Sequence, residues 1–178
     1  MSEKLSAKIE IRIATPADAA EIANVHINSW REAYKGLLPQ EFLDDRPLYF
    51  KSRYELWKSI TLNDPQSTYV VESQDYGLIG FINGGEPRDQ GYADYVEIKC
   101  LYLLQRFHRQ GIGFKLLKTF FSYALEVGYS QGYLWVLKNN PSIHFYEKTG
   151  AKLSKDNKKD RIGGTEVEEL RYVWSSLL

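Results

Sequence analysis

The chain has 178 residues, 43% of them hydrophobic, enough for a sizeable core, and it is read as one domain over residues 1–178. Its 23 Lys and Arg cancel its 23 Asp and Glu, so no overall field points to nucleic acid or to an anionic membrane. One cysteine excludes an intramolecular disulfide, Met1–Lys8 has no signal-peptide core, and no stretch reaches the ~20 apolar residues that span a bilayer, so a cytoplasmic protein is expected.

Ile9, Ile11 and Ile13 alternate with polar residues and predict an opening strand. Thr15-Pro16-Ala17-Asp18 then supplies a cap and a first-turn proline for a helix carrying Ile22, Ala23, Val25, His26, Trp30 and Tyr34, ended by Gly36. A second helical stretch begins at Pro39 and runs through Phe42 and Leu43 to Tyr54, Leu56 and Trp57. Pro47 is expected to split it into two short helices. Thr68–Glu72 reads as a strand, and Asp75-Tyr76-Gly77 turns it into another over Leu78–Asn83. After a polar loop from Gly84 to Gly91, Val96, Ile98 and Cys100 alternate, and then Leu101–Leu104 are all apolar. Such a break of period is what a bulge produces.

Ile112, Leu116, Leu117, Phe120, Phe121, Ala124 and Leu125 recur at helical spacing. Tyr133–Leu137 is a further strand, and a short helix over about Pro141 to Lys148 ends at Gly150. Ile162-Gly163-Gly164-Thr165 signals a hairpin that feeds a last strand through Val167, Leu170, Tyr172 and Trp174. The order is mixed α/β, with helices early, strands centrally and one β-helix-β unit around the glycines.

Gln105-Arg106-Phe107-His108-Arg109-Gln110-Gly111-Ile112-Gly113 sits between an apolar strand and an apolar helix. Two glycines at a helix start let the backbone turn tightly, and the first N–H groups there have no internal partner and face a positive dipole end. The stretch is therefore a seat for a phosphate or pyrophosphate. A dinucleotide fingerprint needs a third glycine and a Walker loop needs Gly-Lys-Ser/Thr; both are absent. Taken alone, Gly111-x-Gly113 leaves open whether the helix merely uses glycines.

Strand, glycine stretch and amphipathic helix, in that order, resemble the acyl-CoA motif of the GNAT N-acetyltransferase superfamily, Gln/Arg-x-x-Gly-x-Gly/Ala. Val136-Leu137-Lys138-Asn139-Asn140-Pro141-Ser142-Ile143-His144-Phe145-Tyr146-Glu147-Lys148-Thr149-Gly150 is similar to that family's Asn-x-x-Ala-x-x-Phe-Tyr-x-x-x-Gly block. The ending Ile162–Trp174 and the opening Val25–Tyr34 resemble one branch of it, so the resemblance covers nearly the whole chain. His108 departs from the usual Gln or Arg and Ser142 from the usual Ala; backbone amides and small size make both tolerable.

The resemblance implies an α/β (α+β) fold: a mixed, mostly antiparallel central sheet of about seven strands flanked by helices, with a splayed pair of central strands holding acetyl-CoA. Amides of Arg109, Gln110, Gly111, Ile112, Gly113 and Phe114 would wrap its pyrophosphate. Leu101 and Leu103 would pair its pantetheine arm like an added strand, and Asn140 would meet that arm in the gap. Glu97 falls where relatives carry the base, against the plainer reading of a solvated strand glutamate. Tyr146 falls on the tyrosine that donates to the coenzyme A sulfur, against the plainer reading of a core side chain. An amide near Leu103 would stabilise the oxyanion.

Trp30 and Tyr34 form an aromatic stripe that is either structural or a wall of the acceptor site. Cys100 and His26 are read as packed, His144 as exposed, and Lys155, Lys158 and Lys159 as a solvated hairpin. The function implied is transfer of an acetyl group from acetyl-CoA directly to a primary amine, with no covalent enzyme intermediate and no metal. The alternative is a non-catalytic acyl-CoA-binding or regulatory module. Glu86 and Asp89 in the Gly84–Gly91 loop incline the acceptor towards a cation such as a polyamine. The apolar final strand, Leu170–Trp174, can pair within one chain or between two, which leaves a homodimer open.

Overall fold

The computed structural model describes residues 8–177, with the backbone alone for residues 46–48. The reading of Met1–Ala7 as free of an apolar leader lies outside the described residues. In chain order the elements are β1 (Ile9–Ile13), α1 (Ala19–Ala33), α2 (Gln40–Asp44), α3 (Arg46–Asn63), β2 (Thr68–Ser73), β3 (Gly77–Gly85), β4 (Tyr95–Leu103), α4 (Ile112–Glu126), β5 (Gln131–Leu137), α5 (Ile143–Lys148), β6 (Lys152–Ile162) and β7 (Thr165–Trp174). The strands form one sheet in the order β1-β2-β3-β4-β5-β7-β6. Every neighbouring pair is antiparallel except β4 and β5. This is the sheet of about seven strands that was expected.

The early elements follow the predicted order with one shift of boundary. A capping box between Thr15 and Asp18 starts a single 3-10 turn that leads into α1. The second helical stretch does divide, but at Asp45, two residues before the proline, and the second piece is long. Pro47 sits in the first turn of α3, where its missing N–H costs nothing, so it begins a helix instead of ending one. No helix among the described residues is long and apolar enough to cross a membrane.

Two cores lie on opposite faces of the sheet. On one face α4 buries Leu116, Leu117, Phe120 and Phe121 completely against Ile79, Ile82, Val96 and Trp174. Each such side chain contributes about 1.5–3 kcal/mol. On the other face α1 and α3 bury Ile22, Ala23 and Trp57 against Val70, Leu78 and Phe81. Trp57 donates its indole N–H to Nδ1 of buried His26 at 3.1 Å, so His26 packs as expected. Final strand β7 is paired on both sides within the chain, by β5 and β6, which leaves β1 and β6 as the sheet edges. The long lysine-bearing strand β6 is exposed along most of its length, as its charge suggests, although Lys158 is tied to Glu169 at 3.0 Å.

The centre of the sheet carries two irregularities. Asn83 of β3 pairs with Cys100 while Gly84 pairs with Ile98, so Lys99 is an extra residue on β4. This bulge lies two residues before the all-apolar run that signalled it. Its effect is to flip the strand's alternation. Val96 and Ile98 face the α4 core, but Cys100 and Tyr102 face the α1 core, and Leu104 packs against both. The expectation that Val96, Ile98 and Cys100 share a face is thereby corrected. Gly84 permits the close approach at the bulge: a Cβ there would strike the Glu97 carbonyl and lie 2.6 Å from Phe120 Cζ. The second irregularity is a gap. Parallel pairing of β4 with β5 stops at Ile98–Leu134, while β5 runs on through Leu137 beside β7. Beyond Ile98, β4 and β5 are splayed.

Candidate active site

Alternation along β4 sets which backbone groups enter the gap. Leu104 N–H donates to Ile79 O of β3 at 2.9 Å. With the Gly80–Leu103 and Ile82–Leu101 pairs in register, Leu103 and Leu101 therefore turn their N–H and C=O groups away from β3, towards the splayed side. These are the two residues expected to pair the pantetheine arm. The Leu103 carbonyl already meets the His108 ring at 2.7 Å, which ties the loop to the strand and leaves the oxygen a second lone pair.

The loop after β4 ends in an anion cradle. Arg109 has φ 60° and Gly111 φ 76°, both left-handed, so the chain wraps back on itself before α4 begins at Ile112. Among the described residues, the backbone N–H groups from Arg109 to Phe114 make no hydrogen bond; the first amide of the helix to find a carbonyl is Lys115, on Gly111 O. A run of free, convergent donors at a positive helix end fits a pyrophosphate. Gly111→Ala is expected to cost about 1–2 kcal/mol in left-handed strain. Relaxing that strain displaces the neighbouring amides, and a loss of about tenfold in acetyl-CoA affinity corresponds to 1.4 kcal/mol. Titration of acetyl-CoA beside a thermal melt checks both effects.

Across the gap, Asn140 follows β5 and is buried. Its Oδ1 accepts from Ser142 N–H at 2.9 Å, an Asx turn that launches α5, while its Nδ2 donates to nothing among the described residues. Ser142, in place of the family's alanine, fits the turn. Tyr146 on α5 is 7% exposed and packs edge-on against Phe145 and Trp174. Its hydroxyl makes no hydrogen bond among the described residues. Burial, with Tyr34 and Cys100 nearby, raises its pKa well above the ordinary tyrosine value, so it keeps its proton at neutral pH. His144 lies outside on the same helix, with an exposed side chain.

The face opposite α4 holds a polar and aromatic cluster that the sequence only half disclosed. Tyr102 accepts from Trp30 Nε1 at 2.8 Å and lies 3.4 Å from the Tyr34 hydroxyl. Burial raises the pKa of Tyr102 and Tyr34 alike, and it raises the Cys100 thiol to about 12, which makes the thiol inert at neutral pH. Trp30 and Tyr34 thus stand beside the gap, linked through Tyr102. That residue was hidden in an unbroken apolar run, and only its period-two spacing from Cys100 could have singled it out.

Glu97 is fully buried, not solvated. Both its oxygens accept from the Arg88 guanidinium, and Oε2 also accepts from the Arg88 backbone N–H at 2.9 Å. A carboxylate has about four lone-pair sites, and here Arg88 occupies them. The Arg88 side chain itself is 63% exposed, on the loop between β3 and β4. In the same loop Asp89 accepts from Trp135 Nε1 at 2.8 Å and lies 3.5 Å from buried Arg171. Asp89 is thus a structural counter-ion, which removes half of the argument for a cationic acceptor.

Residues 27–151 match the Acetyltransferase (GNAT) family. The chain belongs to the GNAT acetyltransferase family. The uncharacterized N-acetyltransferase YuaI of Bacillus subtilis is 31% identical over 170 residues, covering 95% of this chain and 94% of that protein. The PaiA N-acetyltransferase of Thermoplasma acidophilum, solved with coenzyme A, superposes with a TM-score of 0.70 at 25% identity, covering 91% of this chain and 98% of that one. YncA of Salmonella typhimurium, solved with acetyl-CoA, shares the fold with a TM-score of 0.66 at 17% identity, covering 96% of this chain and 94% of that one. The GNAT chain is an acetyltransferase, and the mixed sheet with its flanking helices is the architecture of its relatives.

Proposed function

We propose that this GNAT enzyme transfers an acetyl group from acetyl-CoA directly to a primary amine of a small molecule or peptide. One observation carries the reading: the free amides of Arg109–Phe114 open at the same end of the sheet as the gap between β4 and β5. The amides hold the pyrophosphate, Leu101 and Leu103 pair the pantetheine arm along β4, and the Asn140 Nδ2 meets it from the β5 side. Acetyl-CoA supplies the activated acetyl thioester.

An ammonium has no lone pair, so the acceptor must be deprotonated before it attacks, and the departing sulfur needs a proton. Tyr146 holds that proton at the gap and gives it to the sulfur as the carbon–sulfur bond breaks. Glu97 is our candidate to accept the amine's proton, directly or through water, once Arg88 has swung off it. While Arg88 is in place the carboxylate has no lone pair to offer. An amide of β4 near Leu103 stabilises the carbonyl oxygen.

Release of free thiol from acetyl-CoA, followed with a panel of amines, tests the reading. Turnover with at least one primary amine is expected. Tight binding of acetyl-CoA with no turnover on any amine would sink it.

A further inference from the structure

Between α1, α2 and α3 lies a cavity of about 30 Å³ whose walls include His26, Trp30, Phe42, Tyr49 and Arg53. It has room for a water or two, and therefore for a compact polar group. Among the described residues its walls are aromatic and aliphatic and its one full charge is Arg53, whose guanidinium lies 5.6 Å from the centre of the Trp30 ring. Among the described residues Arg53 has no ion pair and no hydrogen bond. Arg12 is engaged with Asp18 and Glu72, Arg31 with Asp44, Arg88 with Glu97, and Arg171 with Asp156 and Asp89, whereas Arg106, Arg109 and Arg161 also have no ion pair among the described residues but line no cavity with aromatic walls.

Two walls of this cavity, Trp30 and His26, touch Tyr102 beside the reaction cleft. Trp30 joins the two through its bond to Tyr102, which stands beside Tyr34 on the Cys100 face of β4. His26, another wall residue, stacks on Tyr102 at 5.1 Å between ring centres. Arg53 is near enough to both sites for its charge to act on His26 and on the Cys100 thiol. Around Cys100 the charges are Arg53, Arg88 and Lys99 against Glu97 alone, and Glu97 is neutralised by Arg88. Glu169, which acts on Tyr34, is likewise paired with Lys158, so Arg53 and Lys99 are the charges left over and favour an anion over a polyamine.

The geometry points to Arg53 as the anchor of a carboxylate subsite, so that the acceptor is an amine bearing a carboxylate, of amino-acid type. This rests on the reading of the cleft as an amine acetyltransferase site. A guanidinium grips a carboxylate through two parallel N–H donors, which fixes the acceptor's orientation as well as holding it. The cavity has room for the carboxylate alone, so the rest of the acceptor lies outside it, towards Tyr102. The inference reverses the inclination towards a polyamine drawn from Glu86 and Asp89.

Matched acceptors test it: phenylalanine against phenethylamine, with spermidine as the polycation, each measured as kcat/KM in the wild type, Arg53→Gln and Arg53→Lys. The wild type is expected to prefer phenylalanine. Loss of a charge-assisted bond predicts that Arg53→Gln lowers this preference about 10- to 100-fold, mainly through KM, with partial recovery in Arg53→Lys. Thermal melts of both variants separate this from unfolding. Equal use of phenylalanine and phenethylamine by the wild type, or a preference untouched by Arg53→Gln, overturns the subsite and leaves the acetyltransferase reading standing. Transfer to spermidine alone does the same. No transfer to any amine, with acetyl-CoA bound, sinks both.

Discussion

Tyr146→Phe is expected to lower turnover by about 100- to 10,000-fold, the span of general acid catalysis, while leaving the affinity for acetyl-CoA within about twofold. The variant keeps the ring that packs against Phe145 and Trp174, so the α4 core is undisturbed. The hydroxyl it removes holds no other group in place, because no hydrogen bond among the described residues uses it. Nothing is left orphaned, and the melting temperature should hold. All that is lost is a proton kept available by burial, where an exposed phenol would be hydrated and loosely placed. Steady-state kinetics with varied acetyl-CoA, beside a binding titration, separates the two readings. Equal losses in kcat and in affinity make Tyr146 a packing residue and remove it from the chemistry.

Acid should weaken the fold through His26 well before the carboxylates titrate. An indole N–H only donates, so Nδ1 of His26 must be the acceptor in the Trp57 bond, and the ring is the neutral Nε2–H form. Burial lowers its pKa from 6.5 to about 3, with the Arg53 charge adding to the effect. The unfolded chain thus binds a proton that the folded chain refuses. Stability from this group is complete above pH 6.5 and declines as the pH falls towards 3. At 1.4 kcal/mol per pH unit, the loss reaches about 2 kcal/mol by pH 5, or roughly 4–8 °C in Tm. Asp18, held down to about 2 by Arg12, loses its contribution only below its ordinary value of 3.8, so it leaves the pH 5–7 window clear. His26→Gln keeps an acceptor for Trp57 but cannot titrate. Its Tm should be nearly flat between pH 7 and pH 5, and an equal fall in both proteins excludes His26 as the cause.

The glycine loop and the helices were legible because their signals are local. Alternation in Ile9–Ile13, the Thr15–Asp18 capping box and the stripe of α4 each depend on residues within one or two turns of chain, and each element stands where those residues put it. Boundaries were less so: the division between α2 and α3 falls at Asp45, because a proline in a first turn is a start signal as readily as a stop. The bulge was readable as a broken period but not its position. Moving it to Lys99 turned Cys100 and Tyr102 to the other face of the sheet. One residue of register decides a whole face.

By itself the sequence determined the order of elements, the seat of free amides at Gly111–Gly113 and the family resemblance those motifs carry, since a helix start exposes its own donors whatever packs around it. Only the tertiary structure decided what surrounds the chemistry. Trp30 reaches Tyr102 across 72 residues, Arg88 closes over Glu97 by the path of a loop, and Arg53 finds a cavity with no carboxylate in it. Whether a charge is spent or free depends on which distant side chains the packed sheet and helices bring within a few ångströms. Local periodicity holds no record of those meetings.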